Sequence, residues 1–138
     1  MAALTGPRAQ VIERWTHRMF VLAAGQKAQK GSNLVGDPTT GRVRLAGPGT
    51  GRISVGVSDE EVDATAAEKS VSVDMGMEIE VRWLEQDGSI ADANTFGTCY
   101  WADDQTVTLT ATGNSVAGRI WQVDAARGVA VQLLRPTT

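Results

Sequence analysis

Apolar and polar positions along the chain alternate in short stretches separated by glycine, proline, asparagine and aspartate. Residues 19–24 are a short apolar run closed by Gly25, and residues 33–36 are a second. Asp37-Pro38-Thr39-Thr40-Gly41 follows with the composition of a turn. Residues 42–46 alternate polar and apolar, the period of a strand with one wet face. Gly47-Pro48-Gly49-Thr50-Gly51 breaks that stretch, and residues 52–57 alternate again. Residues 70–74 and 78–83 alternate, the latter most cleanly, and Gln86-Asp87-Gly88-Ser89 then supplies an Asp-Gly turn. Residues 97–101 and 106–109 are further short strands, and residues 116–124 and 129–133 read as a closing hairpin.

Some eight to ten short strands between turn residues predict an all-β fold, a single compact β-sandwich or β-barrel-like domain spanning residues 19–138. Residues 1–18 read as an N-terminal arm, extended or short-helical. Gly6 and Pro7 disfavour an early helix, while Ile12, Trp15 and Met19 have the spacing of a short amphipathic helix over about 9–17. Residues 58–69 are acidic and alanine-rich, suited to an exposed loop or to one or two helical turns. No sequence repeat of 20–50 residues stands out, which argues against a solenoid or propeller.

A chain of 138 residues fits one domain and buries enough surface to need neither a disulfide nor a structural metal. Cys99 is the sole cysteine, as expected of a protein made in a reducing cytoplasm. No apolar run approaches membrane-spanning length, and the N-terminus lacks the apolar segment of a secretory signal. The net charge of −3 is unevenly divided. Residues 1–52 carry eight Lys or Arg against Glu13 and Asp37, a balance of +6, and residues 53–138 carry five against fourteen, a balance of −9. Either the basic end meets an acidic partner, or the two ends occupy different faces of one domain. Nucleic-acid binding is not expected, because the basic half has few aromatics and the whole chain is acidic.

Candidate chemistry is sparse. His17 is the one histidine, with Arg14 and Arg18 as its nearest charged neighbours in sequence, and a metal site needs several suitably spaced ligands. Cys99 lies in a predicted strand far from that histidine and reads as a buried, inert thiol. The glycine-rich segment 47–51 lacks the Lys-Ser/Thr ending of a phosphate loop. The acidic groups at 59–63 and 103–104 lack the ligand spacing of a calcium loop and read as solvated. No catalytic, cofactor-binding or metal residues are therefore expected. Among the tryptophans, Trp83 is in phase with Ile79 and Val81 and reads as core. Trp121 is out of phase with Ile120 and belongs either at an interface or in an ordinary core contact.

The C-terminal half carries Cys99-Tyr100-Trp101-Ala102-Asp103-Asp104-Gln105-Thr106-Val107-Thr108. Thr112-Gly113-Asn114-Ser115-Val116-Ala117-Gly118-Arg119-Ile120-Trp121-Gln122-Val123-Asp124 and Arg127-Gly128-Val129-Ala130-Val131 follow. This stretch resembles the capsid decoration, or head cement, proteins of tailed bacteriophages. The likeness extends to a Trp and basic residues before Phe20-Val21-Leu22, to Lys27-Ala28-Gln29-Lys30-Gly31, to Gly41-Arg42-Val43 and to residues 53–56, and is densest over 97–131.

The resemblance implies a non-enzymatic β-rich protein of the virion, on the outer surface of the expanded capsid. It would clamp adjacent major capsid protein subunits, often as a homotrimer, with no cofactor, nucleic acid or membrane involved. The expected capsid-binding arm holds Arg8, Arg14, Trp15 and Arg18, and Trp121 is a candidate oligomer contact. The alternative is a virion-displayed module that binds carbohydrate or a host surface, which requires exposed, coplanar tryptophans.

Overall fold

The computed structural model describes residues 16–76 and 80–133. The protein is all-β, with one 3-10 turn at Asp92–Asn94 and otherwise strands. Among the described residues, ten strands form two closed five-stranded barrels. The first is built from β1 (His17–Leu22), β3 (Asn33–Asp37), β4 (Arg42–Leu45), β5 (Ile53–Ser58) and β7 (Lys69–Asp74). The second is built from β8 (Arg82–Gln86), β9 (Thr98–Trp101), β10 (Thr106–Thr108), β11 (Val116–Asp124) and β12 (Gly128–Leu133). A short ribbon of β2 (Lys27–Ala28) and β6 (Val62–Asp63) completes the strands.

The two barrels have one topology. In each, the first and third strands pair in parallel and every other pairing is antiparallel, and the ring runs first, third, second, fourth, fifth and back to the first. The register matches as well. Phe20 opposite Val71 corresponds to Leu84 opposite Val129, Leu22 opposite Val43 to Gln86 opposite Val107, and Val57 opposite Asp74 to Arg119 opposite Gln132. Both barrels carry a bulge at the same place. Val55 is the extra residue between the Leu34–Gly56 and Val35–Ser54 pairs, and Ala117 the extra residue between Cys99–Gly118 and Tyr100–Val116. Bulges bend and twist a strand, which a small barrel needs in order to close.

A glycine follows each bulge because the neighbouring strand leaves no room for a side chain. A Cβ on Gly56 would lie 2.1 Å from the Asp74 carbonyl oxygen, and one on Gly118 would lie 2.0 Å from that of Gln132. Asp74 and Gln132 are themselves equivalent positions, so the same close approach recurs in both rings.

Inward-facing side chains fill each barrel. Leu22, Leu34, Val43, Val55, Val71 and Val73 pack in the first, and Leu84, Cys99, Trp101, Val107, Ile120, Val129 and Val131 in the second. The second core extends across the junction to Val35 and Ala46 of the first barrel. There the fully buried Trp101 indole N–H donates to Ser54 Oγ at 2.9 Å. Ser54 Oγ in turn lies 3.0 Å from the carbonyl oxygens of Val116 and Ala117 at the bulge of β11. Asn33 donates to the Asp104 carbonyl from its backbone N–H and from Nδ2. The glycine-rich turn after β4 meets its counterpart, Gly49 N–H donating to the Gly113 carbonyl at 2.7 Å and Ser115 Oγ to the Gly49 carbonyl at 2.7 Å. A buried polar junction of this kind is stable only when its groups find partners, and that requirement fixes the relative placement of the barrels.

Several details differ from the sequence-based expectations. The first strand begins at His17, so residues 17–18 belong to the barrel and not to an arm, while residues 1–15 lie outside the described residues. The segment 58–69 forms no helix: Val62 and Asp63 pair with Ala28 and Lys27, and Val62 and Ala64 are buried against the first core. The strand expected at 78–83 lies later, at Arg82–Gln86, with residues 77–79 outside the described set. Leu84, not Trp83, faces the core. Trp83 is half-buried on the outer face, with the Arg127 guanidinium 3.9 Å above its ring.

Aspartates close the turns. Asp37, Asp63 and Asp87 each accept a backbone N–H and a hydroxyl from the Thr or Ser two residues on, and these bonds hold their carboxyls below the usual range.

The close approach at the bulge glycines predicts that Gly56→Ala and Gly118→Ala each lower stability by at least about 3 kcal/mol or prevent folding. Gly31→Ala, at a left-handed position with open space around it, should cost only about 1–2 kcal/mol. Urea unfolding of the three variants checks the order; equal costs would remove the steric explanation.

Candidate functional site

The most exposed large apolar side chain among the described residues is Phe96, 68% exposed, and it stands beside Trp121, which is 43% exposed. Their ring centroids are 5.8 Å apart and the planes meet at 85°, an edge-to-face pair. The Trp121 indole N–H donates to Gln132 Oε1 at 2.9 Å. Trp121 points outward by strand alternation, directly after the buried Ile120 on β11. It is also the extra residue of a second bulge, since Ile120 pairs with Val131 and Gln122 with Ala130, and the bulge leaves Gln122 exposed beside it. Ile120 on one side is fully buried, and Val123 beyond the bulge returns to pack against the core.

Phe96 is held by its backbone. Its N–H donates to the Ile120 carbonyl at 2.7 Å, and the Ile120 N–H returns a bond to the Gly97 carbonyl at 2.9 Å. In the first barrel, Gly31 donates to the Ser58 carbonyl and Ser58 to the Ser32 carbonyl, the same pair of bonds. Gly31 therefore corresponds to Phe96. Gly31 sits at φ +95°, and Phe96 at φ 74° is the only non-glycine with positive φ among the described residues. A bulky residue in this region is strained, by roughly 1–3 kcal/mol. The fold has a place for glycine here, and the second barrel uses it to hold an aromatic ring in solvent. Backbone strain of this kind concentrates at functional sites, which makes the Phe96–Trp121 pair the candidate site.

The expected site residues are distributed as follows. Arg8, Arg14 and Trp15 lie outside the described residues. Arg18 sits on β1 opposite Val73, its guanidinium 4.6 Å above the Phe20 ring, on the first barrel and not on an arm. Trp121 is at an exposed position suited to an interface. The partner it lacks in the sequence-based reading is Phe96, which no periodicity marks, since its exposure comes from a backbone angle.

Cys99 is fully buried, with Sγ 3.6 Å from the Gly118 carbonyl, and burial pushes its thiol up to about 12. A thiol so placed is not a nucleophile at neutral pH. The glycine-rich turn at 47–51 serves the junction between the barrels, and Arg52 Nη1 donates to the Pro48 carbonyl at 2.8 Å. In the acidic segment 59–63, Glu61 lies 3.6 Å from Lys27 and Asp63 closes its own turn on Thr65. Asp59 has different neighbours: the structure brings it to His17 and Asp74, which spacing in sequence does not suggest. No helix among the described residues is long and apolar enough to cross a membrane.

Comparison with protein-family models, with curated proteins and with solved structures gives no match to the chain.

If the Phe96 conformation is kept for binding rather than folding, Phe96→Gly should leave stability unchanged or raise it by up to about 1 kcal/mol, relief of strain offsetting the lost ring contact. Thermal and urea unfolding test this, and a loss of more than about 1 kcal/mol would make the ring a structural element.

Proposed function

We propose that the protein is a structural component of a tailed-phage head that binds the outer surface of the expanded capsid and stabilises contacts between major capsid protein subunits. The observation that carries this reading is the exposed Phe96–Trp121 pair, displayed on a rigid β frame by a bulge and a strained backbone. Rigid aromatics with a polar rim are what a protein-binding hot spot requires. The family resemblance in residues 97–131 encloses Trp121 and adjoins Phe96. The basic balance of residues 1–52 offers a second point of attachment to an acidic capsid surface.

In this reading, binding selects the expanded lattice because only that lattice presents the complementary surface. Whatever binds one state alone stabilises it by mass action. Repetition over the shell, with self-association into a trimer, multiplies a modest contact into tight retention. The alternative of a carbohydrate-binding module is less well supported. Trp101 is buried, Trp83 lies under Arg127, and the edge-to-face angle of Phe96 and Trp121 offers no flat platform for a sugar ring.

The test is co-sedimentation of the purified protein with expanded, undecorated capsids of the phage that carries its gene. The expected result is saturable binding at a copy number set by the capsid subunit count, weakened at least about tenfold by Trp121→Ala. A chain lacking residues 1–15, which leaves β1 whole, should bind more weakly and lose the salt dependence contributed by Arg8 and Arg14. Folded protein that fails to bind capsids, or that binds glycans on an array instead, would overturn the reading.

A further inference from the structure

The outer face that carries Trp121 in the second barrel has an equivalent in the first, and its chemistry is different. By the shared register Gln132 corresponds to Asp74, and counting one residue on from the equivalent Ser58 and Ile120, and one back from Arg18 and Arg82, sets Trp121 against Asp59 and Val81 against His17. In the second barrel these positions hold an indole hydrogen-bonded to an amide, and a valine that is 42% exposed. In the first they hold an imidazole and two carboxylates. His17 Nε2 is 3.7 Å from Asp59 Oδ2 and 3.9 Å from Asp74 Oδ2, and the three ligand atoms lie within 4.8 Å of one another.

Three separate pieces of chain supply them. His17 and Asp74 are direct cross-strand partners on β1 and β7, and Asp59 follows β5, held to β7 by its N–H bond to the Ser72 carbonyl. Each group is held by a further hydrogen bond, which for Asp59 falls on the same oxygen that faces the histidine. His17 Nδ1 is 3.1 Å from Thr16 Oγ1, which directs Nε2 at the carboxylates. Ser72 Oγ donates to Asp59 Oδ2 at 2.9 Å, and the Gly76 N–H donates to Asp74 Oδ1 at 2.8 Å. Arg82 Nη2 faces that same Oδ1 at 3.8 Å, which leaves Oδ2 turned toward the histidine.

From this geometry we propose that His17, Asp59 and Asp74 form a binding site for a divalent transition-metal ion of the zinc type, with water or a ligand from a neighbouring molecule in the open position. One imidazole with two carboxylates suits Zn²⁺ and its first-row neighbours, whereas Ca²⁺ and Mg²⁺ want oxygen alone. A tetrahedral ion with bonds of about 2.0–2.2 Å spaces its ligands about 3.3–3.5 Å apart, so the histidine–carboxylate gaps need to close by about half an ångström and the carboxylate pair, within 4.8 Å, by at most about 1.5 Å. The backing hydrogen bonds match what metal ligands require of their surroundings. An ion here would tie the start of β1 to β7 and to the segment after β5, at the point where residues 1–15 join the barrel. The inference is independent of capsid binding.

The test uses the full chain, stripped with EDTA and freed of the chelator. Calorimetric titration with Zn²⁺ should show one site per chain, and Co²⁺ should give visible absorption of a low-coordinate site. Saturating Zn²⁺ should raise the unfolding midpoint, as binding to the native state alone requires. Asp59→Asn and His17→Gln should each weaken binding at least about tenfold while their unfolding without metal stays close to that of the parent. An absence of saturable binding at millimolar Zn²⁺ would overturn the site. So would binding that persists in both variants, or a preference for Ca²⁺. A protonated imidazole that only pairs with the carboxylates would give the first of these results.

Discussion

The placement of one barrel against the other depends on a buried hydrogen bond, from the Trp101 indole to Ser54 Oγ, and on the bulge carbonyls that the same oxygen meets. Trp101 belongs to the core of the second barrel and Ser54 to a strand of the first. A buried indole N–H or hydroxyl without a partner costs about 1–3 kcal/mol. Sliding or rotating one barrel against the other would strand both, together with the Asn33 and Ser115 bonds around them. The apolar part of the junction, Val35 and Ala46 against the second core, works in the same direction. Non-directional burial alone would tolerate some sliding; the polar bonds remove that freedom.

The two barrels are variations on one plan. What they share is what closure demands: the ring order, the parallel first–third pairing, the bulge and the glycine that follows it. What they do not share is side-chain identity at most positions. Leu34 corresponds to Cys99 and Met19 to Trp83. Packing accepts many apolar residues of suitable size, whereas a carbonyl at 2.0–2.1 Å from a Cβ accepts none but glycine. Freed from closure, the outer face at the ends of the fourth and fifth strands has taken opposite characters, an aromatic pair on one barrel and an imidazole with two carboxylates on the other.

This division explains what was legible in the sequence. Turn chemistry at Asp37-Pro38 and Asp87-Gly88, and alternation in 42–46 and 70–74, marked strands that the structure contains. Ring closure was not legible, because the β1–β4 and β8–β10 pairings join segments with no local signal between them. The duplication was hidden for a related reason, since equivalent residues share a place in the ring and not an identity. Trp83 was misplaced because the alternation of 78–83 was read as one strand facing inward, whereas β8 begins at Arg82 and turns Leu84 to the core. The exposure of Trp121 is legible from its phase against Ile120, but the bulge that leaves Gln122 exposed beside it is not. No sequence signal marks Phe96; it stands out only by a backbone angle that the Gly31 equivalence makes conspicuous.

The proposed role in a capsid would transmit load between contacts, which calls for a frame whose halves are bonded to each other, as the two barrels are here. The account accordingly depends on the two barrels forming one cooperative body. Native-state amide hydrogen exchange tests that most directly, with β3 and β5 reporting on the first barrel and β9 and β11 on the second. The account predicts one shared opening free energy for the slowest amides of all four strands, equal within about 1 kcal/mol. One barrel opening more than about 2 kcal/mol more easily than the other would contradict it, and would mean that the Trp101–Ser54 junction joins two independent units.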